Sequence, residues 1–103
     1  MIAISAVVRP SDGIGTVRTL ERSFRRRYEN VPIKAHQFIV RFADGPVLVT
    51  DEFGVLRVEA VVADEYAEGV FKRSLQAELD ERLDGRRLEV DWSRSETVPT
   101  ALR

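Results

Sequence analysis

The chain has 103 residues, of which 44% are hydrophobic and 32% charged, with a formal net charge of −1. That length holds one ordinary domain, and that composition is globular rather than disordered. With no cysteine, a disulfide framework, a thiolate nucleophile and a zinc–cysteine site are all excluded.

Residues 1–9 lack the basic segment of a signal peptide. No run approaches the ~18 apolar residues needed to cross a bilayer, so the expected location is the cytoplasm. The net charge hides an asymmetry, with +5 over residues 1–41 and −6 over residues 42–103. Such a split points either to a charged partner or to two halves that satisfy each other.

Ile2, Ile4, Ala6 and Val8 alternate with Ala3, Ser5 and Val7, which predicts a half-buried strand over 2–8. Residues 10–15 break it, and Thr16, with Asp12 as rival, is the expected N-cap of a helix over 17–29. Val17, Leu20, Phe24 and Tyr28 form the apolar stripe of that helix. Val31-Pro32 ends it, because the residue before proline is pushed out of the α region. Residues 33–42 read as one strand with Phe38, Val40 and Phe42 on one face. Short strands over 47–50 and 55–62 follow, separated by turns at Ala43-Asp44-Gly45-Pro46 and Asp51-Glu52-Phe53-Gly54. Asp64 caps a long helix over 65–83 with an expected apolar arc of Ala67, Val70, Phe71, Leu75 and Leu79, and Gly85 stops it. Leu88, Val90 and Trp92 alternate with Glu89 and Asp91 in a last strand, with Trp92 read as core. Residues 94–103 read as a polar, flexible tail.

The expected order is therefore β-α-β-β-β-α-β. Two amphipathic helices need a common apolar surface, which the dry face of an antiparallel sheet supplies. The predicted fold is α+β, a two-layer sandwich with both helices on one face. One domain covers 1–93 and the tail covers 94–103.

The segment from Arg18-Thr19-Leu20 through Val31-Pro32 resembles the bacterial domain-of-unknown-function family 2218. So does the run from Leu56-Arg57-Val58-Glu59-Ala60 through the long helix to Leu88-Glu89-Val90-Asp91-Trp92, and together these cover most of residues 2–93. The resemblance implies a small α+β domain of this element order. Some members stand beside, or are fused to, siderophore-interacting flavoproteins, which implies a role near iron or siderophore handling. Members place histidines at the end of the first helix and within the second. This chain has Arg26 and Glu29 in the first place and Glu78 in the second, so the chemistry of those histidines does not carry over.

Every histidine-based scheme must run through His36, the single histidine of the chain. On a regular strand it shares parity with Phe38, Val40 and Phe42, which makes it a structural residue on or at the edge of the core face. A lone histidine without paired ligands defines no metal site. The acidic pairs Asp51-Glu52 and Asp64-Glu65 are explained by a turn and a helix start, so neither metal nor cofactor is expected. Gly13-Ile14-Gly15-Thr16-Val17-Arg18 has the strand-then-helix context of a dinucleotide fingerprint, but Arg18 replaces the third glycine and no parallel βαβ unit surrounds it.

The strongest lead is the set Arg18, Arg22, Arg25 and Arg26 on the flank and far face of the first helix. Arg18–Arg22 and Arg22–Arg26 are like-charge pairs four apart, partly offset by Glu21–Arg25 and Arg25–Glu29. Their anionic neighbour is the second helix of the same domain (Glu68, Glu78, Asp80, Glu81 and Asp84), a second copy of the chain, or a nucleic acid or other polyanion. The first is favoured. A pI near 5.9 and the placement of Phe24 and Tyr28 on the core stripe speak against nucleic acid. A weaker candidate is a pocket of His36, Glu78 and Arg82 against the sheet, although Glu78–Arg82 is more simply an exposed pair four apart. The functional expectation is a non-enzymatic accessory or interaction domain, self-associating as a homo-oligomer, with the link to iron or siderophore handling resting on the resemblance alone. The alternatives are polyanion binding through the first helix and a small enzyme with a carboxylate-based site.

Overall fold

A computed structural model describes residues 1–11, 14–43, 45–83 and 88–103, with the backbone alone at 14, 82 and 83. Strand β1 (Ile2–Pro10) leads into helix α1 (Ile14–Arg27). Strands β2 (Asn30–Lys34), β3 (Gln37–Phe42), β4 (Gly45–Asp51) and β5 (Leu56–Val62) follow, then helix α2 (Glu65–Leu83) and strand β6 (Leu88–Ser95). The six strands form one sheet in the order β2-β3-β4-β5-β1-β6, and every neighbouring pair is antiparallel. The α+β class and the pairing of two helices with an antiparallel sheet are as expected from the sequence. Every strand pair among the described residues is antiparallel, so no βαβ unit among them surrounds Gly15, which lies in the first turn of α1. Gly13 lies outside the described residues.

Period-two patterning selects the core face. Ile4, Ala6 and Val8 of β1, Phe38, Val40 and Phe42 of β3, Val47 and Val49 of β4, and Leu56, Val58 and Ala60 of β5 are all buried. Both helices lay their stripes on this face, Val17, Leu20 and Phe24 from α1 and Phe71, Leu75 and Leu79 from α2. An aromatic chain ties the layers together. Tyr28 packs edge-on to Phe42 at 5.4 Å, Phe42 to Phe71 at 6.1 Å and Phe71 to Trp92 at 6.1 Å. Each such pair adds about 0.5–1.5 kcal/mol beyond the area it buries.

Several local expectations change. The stretch 33–42 is not one strand but the end of β2, a turn and β3, because the chain reverses at Ala35-His36, where His36 takes a left-handed φ of 65°. The reversal breaks the parity that placed His36 with Phe38, and His36 is exposed at the turn. β2 is the edge strand, so Pro32 removes no interior ladder bond, and Val31 and Ile33 stay exposed. Helix α1 starts at Ile14, so Thr16 lies inside its first turn and is fully buried rather than capping from outside. Asp12 lies outside the described residues. Asp64 does cap α2, its Oδ1 accepting from Ala67 N–H at 2.8 Å. Val70 falls off the buried arc of α2, and Glu68 takes a buried place there instead. Gly85, the expected stop, lies outside the described residues. On the edge strand β6, Leu88, Val90 and Trp92 are half-buried against the rim of the core rather than within it.

The second face of the sheet is partly covered. Ala3, Ser5 and Leu48, of opposite parity to the core, are buried. The stretch expected as a flexible tail first prolongs β6 to Ser95, then forms a 3₁₀ turn at Thr100–Leu102 that lies against β4. Glu59, cross-strand from both Leu48 and Ser5, has its carboxyl pushed above the usual range by burial, which Arg57 opposes and Glu52 reinforces. No helix among the described residues is long and apolar enough to cross a membrane.

Candidate interaction surface on the first helix

The hydrophobic stripe of α1 fixes which of its arginines reach solvent. With Val17, Leu20 and Phe24 turned to the sheet, Arg18, Arg22 and Arg26 stand one turn apart in a single exposed row. None of the three forms an ion pair among the described residues. Beside the row, Thr19, Arg22, Ser23, Arg26 and Arg27 line a shallow depression of about 300 Å³. The Thr19 hydroxyl is turned back on the helix, donating to the Gly15 carbonyl at 3.0 Å.

Arg25, expected in the same set, is half-buried and used within the fold. Its Nε donates to Glu21 Oε1 at 3.3 Å, and its guanidinium lies 4.1 Å over the Phe38 ring. It occupies the flank of α1 nearest the sheet, where a planar cation can cover an aromatic face. Arg27 was not grouped with the others by the sequence, yet it lines the depression and reaches Glu81 of α2 at 3.7 Å.

The acidic residues of α2 are engaged inside the chain. Glu81 meets Arg27, and the Glu78 carboxylate bears on the Tyr28 phenol. Burial first, and then the Glu78 carboxylate, push the Tyr28 pKa up to about 12. Asp80 accepts from Gln76 at 3.0 Å. Glu68 turns to β6, where Arg94 donates Nε at 3.0 Å and Nη2 at 2.8 Å in a two-pronged contact. This hydrogen bonding holds the Glu68 carboxyl below its ordinary value against the opposing effect of burial. The helices thus compensate each other in part, through Arg27 and Tyr28, while Arg18, Arg22 and Arg26 are left over.

The second sequence candidate, His36 with Glu78 and Arg82, is not assembled. His36 stands at the β2–β3 turn and Glu78 is committed to Tyr28 on α2. The Arg82 side chain lies outside the described residues. His36 instead faces Glu21 and Asp51, with donor atoms of all three side chains within 4.8 Å of one another. Nothing in the spacing of these residues signals that grouping, because its members lie on α1, a turn and the end of β4.

No family model matches the chain, and no curated protein is similar to it. A similar solved structure is the NMR structure of PA4090 from Pseudomonas aeruginosa. It shares 15% identity at a TM-score of 0.57, over 90% of this chain and 96% of that one. At that identity the likeness shows the fold alone.

Proposed function

We infer that this is an interaction domain that docks an acidic protein surface through the arginine row of α1. The observation that carries the reading is the exposed row Arg18, Arg22 and Arg26, unpaired among the described residues while the acids of α2 are engaged elsewhere. Two of its i,i+4 steps set like charges together, a loss of about 0.2–0.5 kcal/mol each in an isolated helix. An anionic partner turns that repulsion into attraction. A protein partner fits better than nucleic acid. Phe24 of α1 is packed in the core against Phe42 and Tyr28, so no described aromatic of that helix offers a stacking platform beside the arginines.

The test is fluorescence anisotropy with a labelled polyglutamate chain and, in parallel, a DNA duplex. Wild type binds polyglutamate at about 50 mM salt and loses affinity towards about 200 mM, as expected for charge neutralisation. R18E/R22E/R26E loses that binding and keeps its fold. Equal binding by the variant, or none by wild type, refutes the reading, and tighter binding to the duplex moves it to nucleic acid. Native mass spectrometry reads the remaining alternative. A dimer that the triple variant abolishes makes the acidic surface that of a second copy.

A further inference from the structure

Three segments distant in the chain converge at one end of the sheet. Glu21 comes from the second turn of α1, His36 from the β2–β3 turn and Asp51 from the last residue of β4. One donor atom from each side chain lies within 4.8 Å of the other two. We propose that these three side chains form a binding site for a divalent transition-metal ion of the zinc type.

The local structure supports the site from several sides. The Asp51 N–H donates to the His36 carbonyl at 2.8 Å, so the backbone itself holds the two ligands next to each other. Neither the His36 ring nor the Asp51 carboxylate has a hydrogen bond or ion pair among the described residues, although they are neighbours. Glu21 is held by Arg25, but both contacts, from Nε and from Nη2 at 3.3 Å each, fall on Oε1. Oε2 remains for an ion. The two carboxylates outnumber the single Arg25 cation paired with them, a balance of charge that favours a divalent cation.

The geometry is within reach of coordination. Around zinc, with bonds of about 2.0–2.1 Å, tetrahedral donors stand about 3.4 Å apart. Donors no more than 4.8 Å apart close that gap by rotation of the exposed His36 ring and the half-buried carboxylates. An imidazole in the set selects a late first-row ion over magnesium or calcium, which take oxygen ligands. Three protein donors also leave a coordination position for water or an outside ligand.

His36 is the single histidine, so its ring resonances report on the site without assignment. The experiment is a titration of the full, tag-free chain with Zn²⁺ and, separately, Mg²⁺, followed by calorimetry and by long-range ¹H–¹⁵N spectra of the His36 ring. Wild type takes up one Zn²⁺ with movement of the ring nitrogens, and Mg²⁺ leaves them in place. His36→Asn keeps a residue that tolerates the left-handed turn, and Asp51→Asn keeps the shape of the carboxylate. Each lowers Zn²⁺ affinity by more than about 100-fold, beyond the range typical of an outer-sphere partner. Backbone amide spectra of both variants that match wild type elsewhere separate ligand loss from unfolding. Zinc binding that leaves the His36 ring unmoved, equal affinity in a folded His36→Asn, or equal response to Mg²⁺ overturns the proposal.

Discussion

The Glu78 carboxylate of α2 bears on the phenol of Tyr28, just beyond the end of α1, and Tyr28→Phe removes the hydroxyl alone. The ring stays, with its edge-on contact to Phe42 at 5.4 Å. The phenol has its pKa pushed up from 10.0 to about 12. Because the folded value lies above the unfolded one, the neutral phenol contributes stability that is complete below pH 10. That contribution is lost as pH rises from 10 towards about 12. Two pKa units at 1.36 kcal/mol each set a ceiling of about 2.7 kcal/mol. The side chain is only partly buried, and solvent screening brings the expectation to about 1 kcal/mol. Urea unfolding followed by the fluorescence of Trp92, the single tryptophan, measures it. At about pH 8, Tyr28→Phe is less stable than wild type by about 1 kcal/mol, and the gap closes as wild-type Tyr28 ionises. Taking the difference between the two proteins cancels every other titrating group. Equal stability at neutral pH, or a gap that persists unchanged beyond pH 11 (roughly mid-window), refutes the reasoning.

Two further predictions concern carboxylates shifted in opposite directions. The Glu68 carboxyl is held below 4.5 by Arg94, so its contribution is present above that value and is lost as pH falls through the depressed one. Arg94→Gln is therefore less stable than wild type at neutral pH, and urea midpoints of the two converge in acid. Glu59 is the reverse case, raised above 4.5 by burial, so its favourable contribution exists at low pH and is lost as pH rises. Glu59→Gln is more stable than wild type at neutral pH and equal to it once Glu59 is protonated in both states. A destabilised Glu59→Gln at pH 7 (roughly neutral) shows instead that the ionised carboxylate holds Arg57 in place.

What the sequence disclosed was local. The alternation in β1, the stripe Val17–Leu20–Phe24 and the cap at Asp64 each lie within one or two turns of chain, and each stands where its spacing placed it. The arc of α2 was legible only at Phe71, Leu75 and Leu79. Apolar spacing also admitted Val70, and nothing in it foretold that Glu68 would be buried against an arginine from β6. The position of β1 between β5 and β6 is a property of the whole sheet, which no local pattern carries. Arg18, Arg22 and Arg26 were legible as a row by periodicity. Arg25 looked equivalent, because charge alone does not show which arginine covers an aromatic ring.

The hairpin at Ala35-His36 is the instructive case, because one missed turn hid a second feature. Lys34, Ala35, His36 and Gln37 contain no glycine, asparagine or proline, so the run from Ile33 to Phe42 read as a continuous strand. In the fold, His36 takes the left-handed conformation at φ 65°, a region where an ordinary side chain is sterically disfavoured. Shifting His36 from strand to turn moves its side chain from the core face to the surface. It also lets the His36 carbonyl accept from the Asp51 N–H at 2.8 Å, which pins the turn to the end of β4. The same hydrogen bond that secures the reversal thus sets an imidazole beside a carboxylate, and α1, packed over that end of the sheet, brings Glu21 to both. A lone histidine signals no such grouping in the sequence, because the two carboxylates beside it come from tertiary structure rather than from neighbours in the chain.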